Sequence, residues 1–379
     1  MKERFLPMFV RSAFCATLLI AVSAAAQQPT SLKQAYQGAF YIGAAIDSAQ
    51  ATGQDKLGDS IVLRQYNSIS PENDLKWIVV NPEPGQYDFQ LADAYVAFGV
   101  RHHMWIVGHN LVWHNQVPAW VFRDKNGKLL TRDALLKRMK DHIFREVGRY
   151  KGKIQSWDVV NEALNDDGTL RQSLWYKIIG PDYIAKAFEY AHEADPHAQL
   201  TYNDYNLASP AKLAGVIRLV KQLKAEGVTI DCVGMQNHDH FDSPTPEQED
   251  TAIRAIAATG VKVAISELDI NVLPWPGQGN TANVAMHMAA NPKYNPWPSG
   301  FPAAMQQKLA DRYAALFRVF WKDRADISRV TFWGVTNAGS WLNNWPIPGR
   351  TNYPLLFNRE GQPTPAYYAV LRVPAEAAK

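Results

Sequence analysis

The stretch IQSWDVVNEAL, residues 154–164, decides how this chain is read. Its apolar run from Ile154 to Val160 has the length of a buried strand, and Asn161-Glu162 stand where that strand gives way to a loop. The arrangement returns 105 positions later in VKVAISELDIN, residues 261–271, where Glu267 follows the apolar run Val263–Ser266. An Asn-Glu pair alone says little, since a chain of this length holds about one by chance. Two glutamates, each delivered by a predicted strand, say more. In a parallel α/β barrel the carboxyl ends of the strands reach the active site, and two carboxylates facing each other across a cleft are what glycosidic bond cleavage requires.

Further predicted strands flank these two, at Phe40–Ile46, Tyr66–Ile69, Met104–Gly108, Leu200–Tyr202, Cys232–Met235 and Val330–Gly334. Between them lie amphipathic stretches, among them Ala134–Tyr150, Ile184–Ala194, Pro210–Glu226, Glu247–Ala258 and Ala304–Trp321. Eight strands alternating with helices predict an α/β fold, a (β/α)8 TIM barrel in one domain spanning residues 27–379. An open doubly wound sheet would alternate in the same way. The barrel is preferred because polar clusters follow nearly every strand, and a ring of loops would gather them into one site. One segment is irregular: Pro274 to Pro302 is rich in Pro, Asn, Gly and Trp. It follows the Glu267 strand and is placed to form a wall of the cleft.

Residues 1–26 read as a secretory signal peptide rather than as part of the fold. Lys2, Arg4 and Arg11 precede the apolar run Ala13–Val22, and Ala24-Ala25-Ala26 offer a cleavage site, so a secreted or periplasmic address is expected. Cys15 falls inside that leader. Cys232 is then the only cysteine of the mature chain, in an apolar context that favours a core residue over a reactive thiol. The formal net charge is +3 with no run of basic residues, which leaves nucleic-acid binding without an electrostatic footprint.

The strand ends carry a consistent set of groups. Ser70-Pro71-Glu72-Asn73 follow the second strand with Lys76 close behind, and His109 to Gln116 follow the third. Asn161-Glu162 end the fourth, Asn203 to Asn206 the fifth, and Gln236-Asn237-His238 the sixth. Glu267 and Asp269 belong to the seventh, Trp333 and Trp341 to the eighth. Singly, each has an ordinary reading: a helical ion pair for Glu72 and Lys76, core aromatics for the tryptophans, structural imidazoles for the histidines. Together they mix amide, imidazole, carboxylate and indole, which is what a cleft for sugars needs. His238 and His240 would share one face of a strand, as chelators do. Yet no metal-ligand spacing accompanies them, so neither metal nor cofactor is expected.

GHNLVWHNQVPAW (108–120), WDVVNEAL (157–164), YNDYN (202–206), GMQNHDH (234–240), SELDI (266–270) and FWGVTNAGSW (332–341) closely resemble the glycoside hydrolase family 10 endo-β-1,4-xylanases. The likeness runs from about Gly43 to Tyr368, in the family's order. It implies a barrel that cleaves xylan and xylo-oligosaccharides with retention. Glu162 matches the family's acid/base and Glu267 its nucleophile, supported by His238, Gln236 and Asp269. Asn161 matches the group that bonds the 2-hydroxyl before the scissile bond. His109 and Lys76 match contacts to the same sugar, and Glu72 and Asn73 contacts to the next. Trp113, Trp333 and Trp341 match aromatic walls, and Tyr205 the tyrosine after the fifth strand. Two departures stand out, Asn337 where the family commonly has Asp and the long Pro274–Pro302 segment. With Glu267 ionised nearby, Glu162 is expected to keep its proton to higher pH than a free glutamate. A cellulase or mixed β-glucanase is the nearest alternative, and a non-catalytic carbohydrate-binding protein a more distant one.

Overall fold

Apolar strands with one polar end each build the framework of the computed structural model, which describes residues 1, 3, 29–277 and 284–377. The leader expected over residues 1–26 lies, apart from Met1 and Glu3, outside them, and so does the part of the Pro274–Pro302 segment at 278–283. The strands are β1 (Tyr41–Ile46), β2 (Ser68–Pro71), β3 (Trp105–Val112), β4 (Ser156–Asn161), β5 (Gln199–Asp204), β6 (Cys232–Met235), β7 (His238–His240), β8 (Lys262–Asn271) and β9 (Ile327–Phe332). All pair in parallel. β1 to β6 run in sequence, β9 joins β1 to β8, and β6 pairs with β8 to close the ring, with β7 as a short addition beside β8. This is the expected (β/α)8 barrel, since parallel neighbours need crossover helices that cover the outside.

The helices show why the sequence chooses them. In Arg132–Arg149 the buried residues are Leu135, Met139, His142, Ile143, Glu146 and Val147, a spacing of threes and fours that keeps one face on the barrel. Pro246–Ala257 starts with a capping box between Thr245 and Gln248, Pro246 in its first turn, and Glu247 and Glu249 near its amino end. Inside, the barrel is filled by large side chains against glycine. At Gly108 a Cβ would lie 2.1 Å from the Trp157 ring, so only glycine lets Trp157 occupy the interior. Tyr36 donates its hydroxyl to the Val370 carbonyl at 2.8 Å, tying the amino-terminal segment to the last helix, Pro365–Glu376. Cys232 is fully buried and its thiol is pushed up to about 11 by burial, as a core residue's would be.

Strand boundaries differ from expectation where the reason is tertiary. β3 runs to Val112 instead of Gly108, because its ladder with β4 shifts register between His109 and Val112 and then resumes. β8 runs past Glu267 to Asn271, because β7 supplies a second partner through His238–Asp269 and His240–Asn271. Glu267 therefore sits within a strand. It lies where the β8–β9 register shifts between Ile265 and Leu268.

Candidate active site

All fourteen residues picked from the sequence line one cleft at the carboxyl end of the barrel. Around Glu162 the backbone is bent: its φ is +58°, in the left-handed region that non-glycine residues seldom occupy. The strain is held in place by the Glu162 N–H donating to the Asn203 carbonyl at 2.9 Å, and by Arg171 Nε donating to the Glu162 carbonyl at 2.9 Å. Gln116, Asn206 and Asn237 also have positive φ, at 46°, 54° and 59°. Four of the five non-glycine residues with positive φ among the described residues thus stand where strands hand over to the cleft, the fifth being His103 before β3, and such strain is common at functional sites.

The two glutamates live in different surroundings, although both are buried. Glu162 accepts from Trp113 Nε1 at 2.9 Å and from Gln236 Nε2 at 3.1 Å. Glu267 accepts from Asn203 Nδ2 at 2.7 Å, and its other oxygen lies 3.1 Å from His238 Nε2. His238 Nδ1 is 3.0 Å from Asp269 Oδ1. With a carboxylate at each ring nitrogen, both nitrogens must carry protons. The two carboxylates overcome burial and push the His238 pKa up to about 10. Asp269 is steadied by Trp341 Nε1 at 2.7 Å. Burial pushes Glu267 up, but hydrogen bonds from His238 and Asn203 and the nearby charge of His109 outweigh it, and the net shift is downward.

Glu162 goes the other way, to about 7. The direction is as expected, and the expected Glu267 charge is among its causes, after burial and the Asp204 charge. The assignment of Gln236 is corrected. Its side chain serves Glu162 and the Asn161 carbonyl oxygen (3.2 Å), and only its backbone carbonyl meets Glu267, accepting from the Glu267 N–H at 2.9 Å. Asn203 must donate to Glu267, so its second N–H finds the Asn161 oxygen at 3.0 Å. Three amide side chains therefore link one carboxylate to the other: Gln236, Asn161 and Asn203.

On the opposite wall Lys76 Nζ donates to Asn73 Oδ1 at 3.0 Å and Gln116 Oε1 at 2.8 Å, and lies 5.1 Å from the centre of the Trp113 ring. The helical ion pair considered for Glu72 and Lys76 does not form, since the short helix Trp77–Val80 begins after Lys76. Burial lowers the Lys76 pKa against the pull of Glu267, Glu72 and Glu162. Burial raises Glu72 to about 7. His109 Nδ1 bonds Asp158 Oδ2 at 2.9 Å, and Arg329 inside the barrel reaches the other Asp158 oxygen at 3.3 Å. Trp333 stands edge-on to His109, with ring centres 5.3 Å apart. Tyr205 accepts from Arg171 at 3.0 Å, with the Lys212 ammonium on its ring face. Asn337 is buried away from the cleft, where its Oδ1 accepts from the Leu355 N–H at 2.8 Å. That acceptor role needs no charge.

Several contributors were missed. Asn203 stood in the quoted YNDYN segment, but nothing local says that it faces inward between the carboxylates. Asp158 and Asp204 are strand residues whose acidic character in an apolar run was the available signal. Trp275 and Val284 of the irregular segment do line the cleft, as does Trp345. Among the described residues no group of three or more His, Cys, Asp or Glu is arranged to hold a metal. Both nitrogens of His238 are already committed to carboxylates.

The chain is similar along most of its length to known proteins. The chain is 44% identical over 361 residues to endo-1,4-beta-xylanase A of Xylanibacter ruminicola, covering 95% of this chain and 98% of that protein. It is 40% identical over 350 residues to the endo-1,4-beta-xylanase of Geobacillus stearothermophilus, covering 90% and 98%. A GH10 endoxylanase retrieved from a sugarcane soil metagenome superposes with a TM-score of 0.88 at 45% identity, covering 90% of this chain and 99% of that one. The profile of glycosyl hydrolase family 10 matches residues 31–373, and the chain belongs to that family of glycoside hydrolases.

Proposed function

We propose that the chain is a secreted, retaining endo-β-1,4-xylanase, with Glu267 as nucleophile and Glu162 as acid/base. The observation that carries this reading is two buried carboxyls in one cleft with different partners, Glu267 between His238 and Asn203 and Glu162 between Trp113 and Gln236. Glu267 is held ionised by an imidazolium, while Glu162 keeps its proton to about pH 7. Such divergence marks an acid and a nucleophile. In the first step a Glu267 oxygen bonds the anomeric carbon as the glycosidic C–O bond breaks, and the Glu162 proton goes to the leaving oxygen. In the second, Glu162 takes a proton from water, whose oxygen bonds the anomeric carbon and releases Glu267. Retention calls for carboxyl groups about 5–5.5 Å apart.

Esterification of Glu267 removes one of the charges that raise the Glu162 pKa. The base form of Glu162 is further favoured by the Trp113 and Gln236 donors, which bond the anion. Asn161, anchored by Asn203 and Gln236, is assigned to the 2-hydroxyl of the reacting sugar. Lys76, His109, Glu72 and Asn73 are assigned to the glycone side, with Trp113, Trp333 and Trp341 as aromatic walls and Tyr205 beyond the scissile bond.

The test is Glu267→Ala. Hydrolysis should cease, and azide should restore turnover as a glycosyl azide of inverted configuration; near-normal activity without azide refutes the assignment. A parallel rate comparison on xylan and carboxymethyl-cellulose separates the xylanase reading from the glucanase one. A protein named exoglucanase XynX of Acetivibrio thermocellus is 37% identical over 348 residues, covering 89% of this chain and 29% of that protein. Secretion with cleavage after Ala26 is tested by sequencing the amino terminus of the exported protein.

A further inference from the structure

Lys212 is fully buried, and the mechanism leaves it unused. It stands in the first turn of the helix Pro210–Ala225, where the helix dipole disfavours a cation. Burying an ammonium is costly unless something of opposite charge pairs with it. Its partner is Asp204, at the end of β5 and equally shut off from solvent, with Nζ 2.8 Å from Oδ1. The ammonium also rests on the face of the Tyr205 ring, 3.2 Å from its centre.

Asp204 in turn faces the bend that carries Glu162. Its Oδ2 accepts from the Leu164 N–H at 3.3 Å and from the Tyr202 hydroxyl at 2.5 Å. That hydroxyl accepts from the Ala163 N–H at 3.1 Å. One carboxylate therefore gathers the two peptide N–H groups that follow Glu162, one directly and one through a phenol. Its Oδ1 takes the Tyr205 N–H at 2.9 Å besides the Lys212 ammonium. Among the described residues Lys212 is the one cation paired with it. A buried carboxylate that loses its counter-charge takes up a proton instead. The charge of Asp204 is felt at Glu162, where it stands second to burial among the causes of the raised pKa.

We propose that Lys212 is a positioning residue for the acid/base step: through Asp204 it supplies the fixed negative charge that holds the proton on Glu162 until the leaving oxygen takes it. This rests on the acid/base reading of Glu162. The other groups around the pair do not replace Lys212. Asp166, 3.6 Å from Nζ, is an anion and half exposed. Arg171, from the same loop after β4, spends its donors on the Glu162 and Leu164 carbonyls and the Tyr205 hydroxyl. Tyr183, from the helix Tyr183–Ala194, has its pKa raised out of the working range by burial. His114, after β3, is held neutral down to about 3 by burial and by the charges of Arg171 and Lys212. Across the cleft Glu162 faces Glu267 and Lys76, which stay the same in every variant below.

The experiment follows kcat/KM on phenyl β-xylobioside against pH for the parent enzyme, Asp204→Asn, Lys212→Met and the double variant. The alkaline limb reports Glu162 in the free enzyme. Asp204→Asn removes the repelling charge and should move that limb down by about one unit. Lys212→Met should move it down by a similar amount, since Asp204 then takes a proton. The double variant should move it no farther than Asp204→Asn alone, because Lys212 acts through Asp204. Lys212→Arg, which keeps the charge, should leave the limb closer to the parent's than Lys212→Met does. An unmoved limb in Asp204→Asn, an unmoved or rising limb in Lys212→Met, or summed shifts in the double variant overturns the inference. Asp204→Asn keeps the side chain's shape and the double variant leaves no unpaired buried charge, so both guard against loss of the fold. In Glu162→Ala the alkaline limb should vanish on dinitrophenyl β-xylobioside, whose leaving group needs no acid. A limb that persists there would instead bring down the acid/base reading itself.

Discussion

His238→Gln tests the electrostatic division of labour most directly. The parent His238 is an imidazolium with one N–H on Glu267, and a charge-assisted bond of this kind contributes about 1.5–3 kcal/mol. Glutamine keeps a donor of similar reach but removes the positive charge. Each pKa unit corresponds to about 1.4 kcal/mol. Burial already pushes Glu267 upward, so losing the charge should raise its pKa by about 1–2 units. The acid limb of kcat/KM reports ionisation of the nucleophile in the free enzyme. It should therefore move to higher pH by about 1–2 units, while the alkaline limb near 7, set by Glu162, moves little. The bell narrows, and activity near pH 5 falls more than activity near pH 6.5. Initial rates on an aryl β-xylobioside from pH 3.5 to 9 give both limbs. An acid limb that stays in place while kcat falls at every pH would show that His238 only fills space, and the argument would fail.

Trp113→Phe removes the indole donor from Glu162 and should shift the alkaline limb upward by about one unit, since the donor favours the anion; a downward shift contradicts the assignment. Glu72→Gln should stabilise the fold above neutral pH at the expense of substrate affinity. The folded Glu72 pKa is raised to about 7 from an ordinary value near 4.5, so its penalty is absent below 4.5, grows as pH rises and is complete above 7. The gain in Tm should follow that window, and a gain largest at pH 4 refutes it. Gly234→Ala would place a Cβ 2.1 Å from Asn203 Oδ1, displacing the amide that holds Glu267. Expected are a loss of about 1–3 kcal/mol in stability by denaturant unfolding and a fall in kcat beyond tenfold; normal kcat shows that Asn203 is not needed where it sits.

Much of the site was legible because barrel chemistry is local to strand ends. WDVVNEAL carries a strand, its end and a carboxylate in one short run, SELDI carries a strand and its carboxylates, and all fourteen chosen side chains meet in one cleft. What escaped reading is the set of contacts made between strands. Gln236 follows β6 and was assigned to the nucleophile, yet its side chain crosses to Glu162 on β4. Asn203 faces inward only because β5 lies between β4 and β6 in a closed ring. β8 extends beyond Glu267 because β7 pairs with it, a partner no periodicity announces.

The sequence by itself determined which groups are present and in what order the barrel offers them. Strand length, helix face and chain order are set by neighbours in the chain, and there periodicity is enough. Only the tertiary structure decided which glutamate keeps its proton and why. Glu162 and Glu267 are the same residue type, one just past the end of β4 and one inside β8, and both are buried. Their difference comes from what other strands bring: an imidazolium backed by Asp269 for Glu267, a dry pocket beside Asp204 for Glu162. Desolvation and charge act through space, across segments far apart in the chain, so they become readable only once the ring has closed.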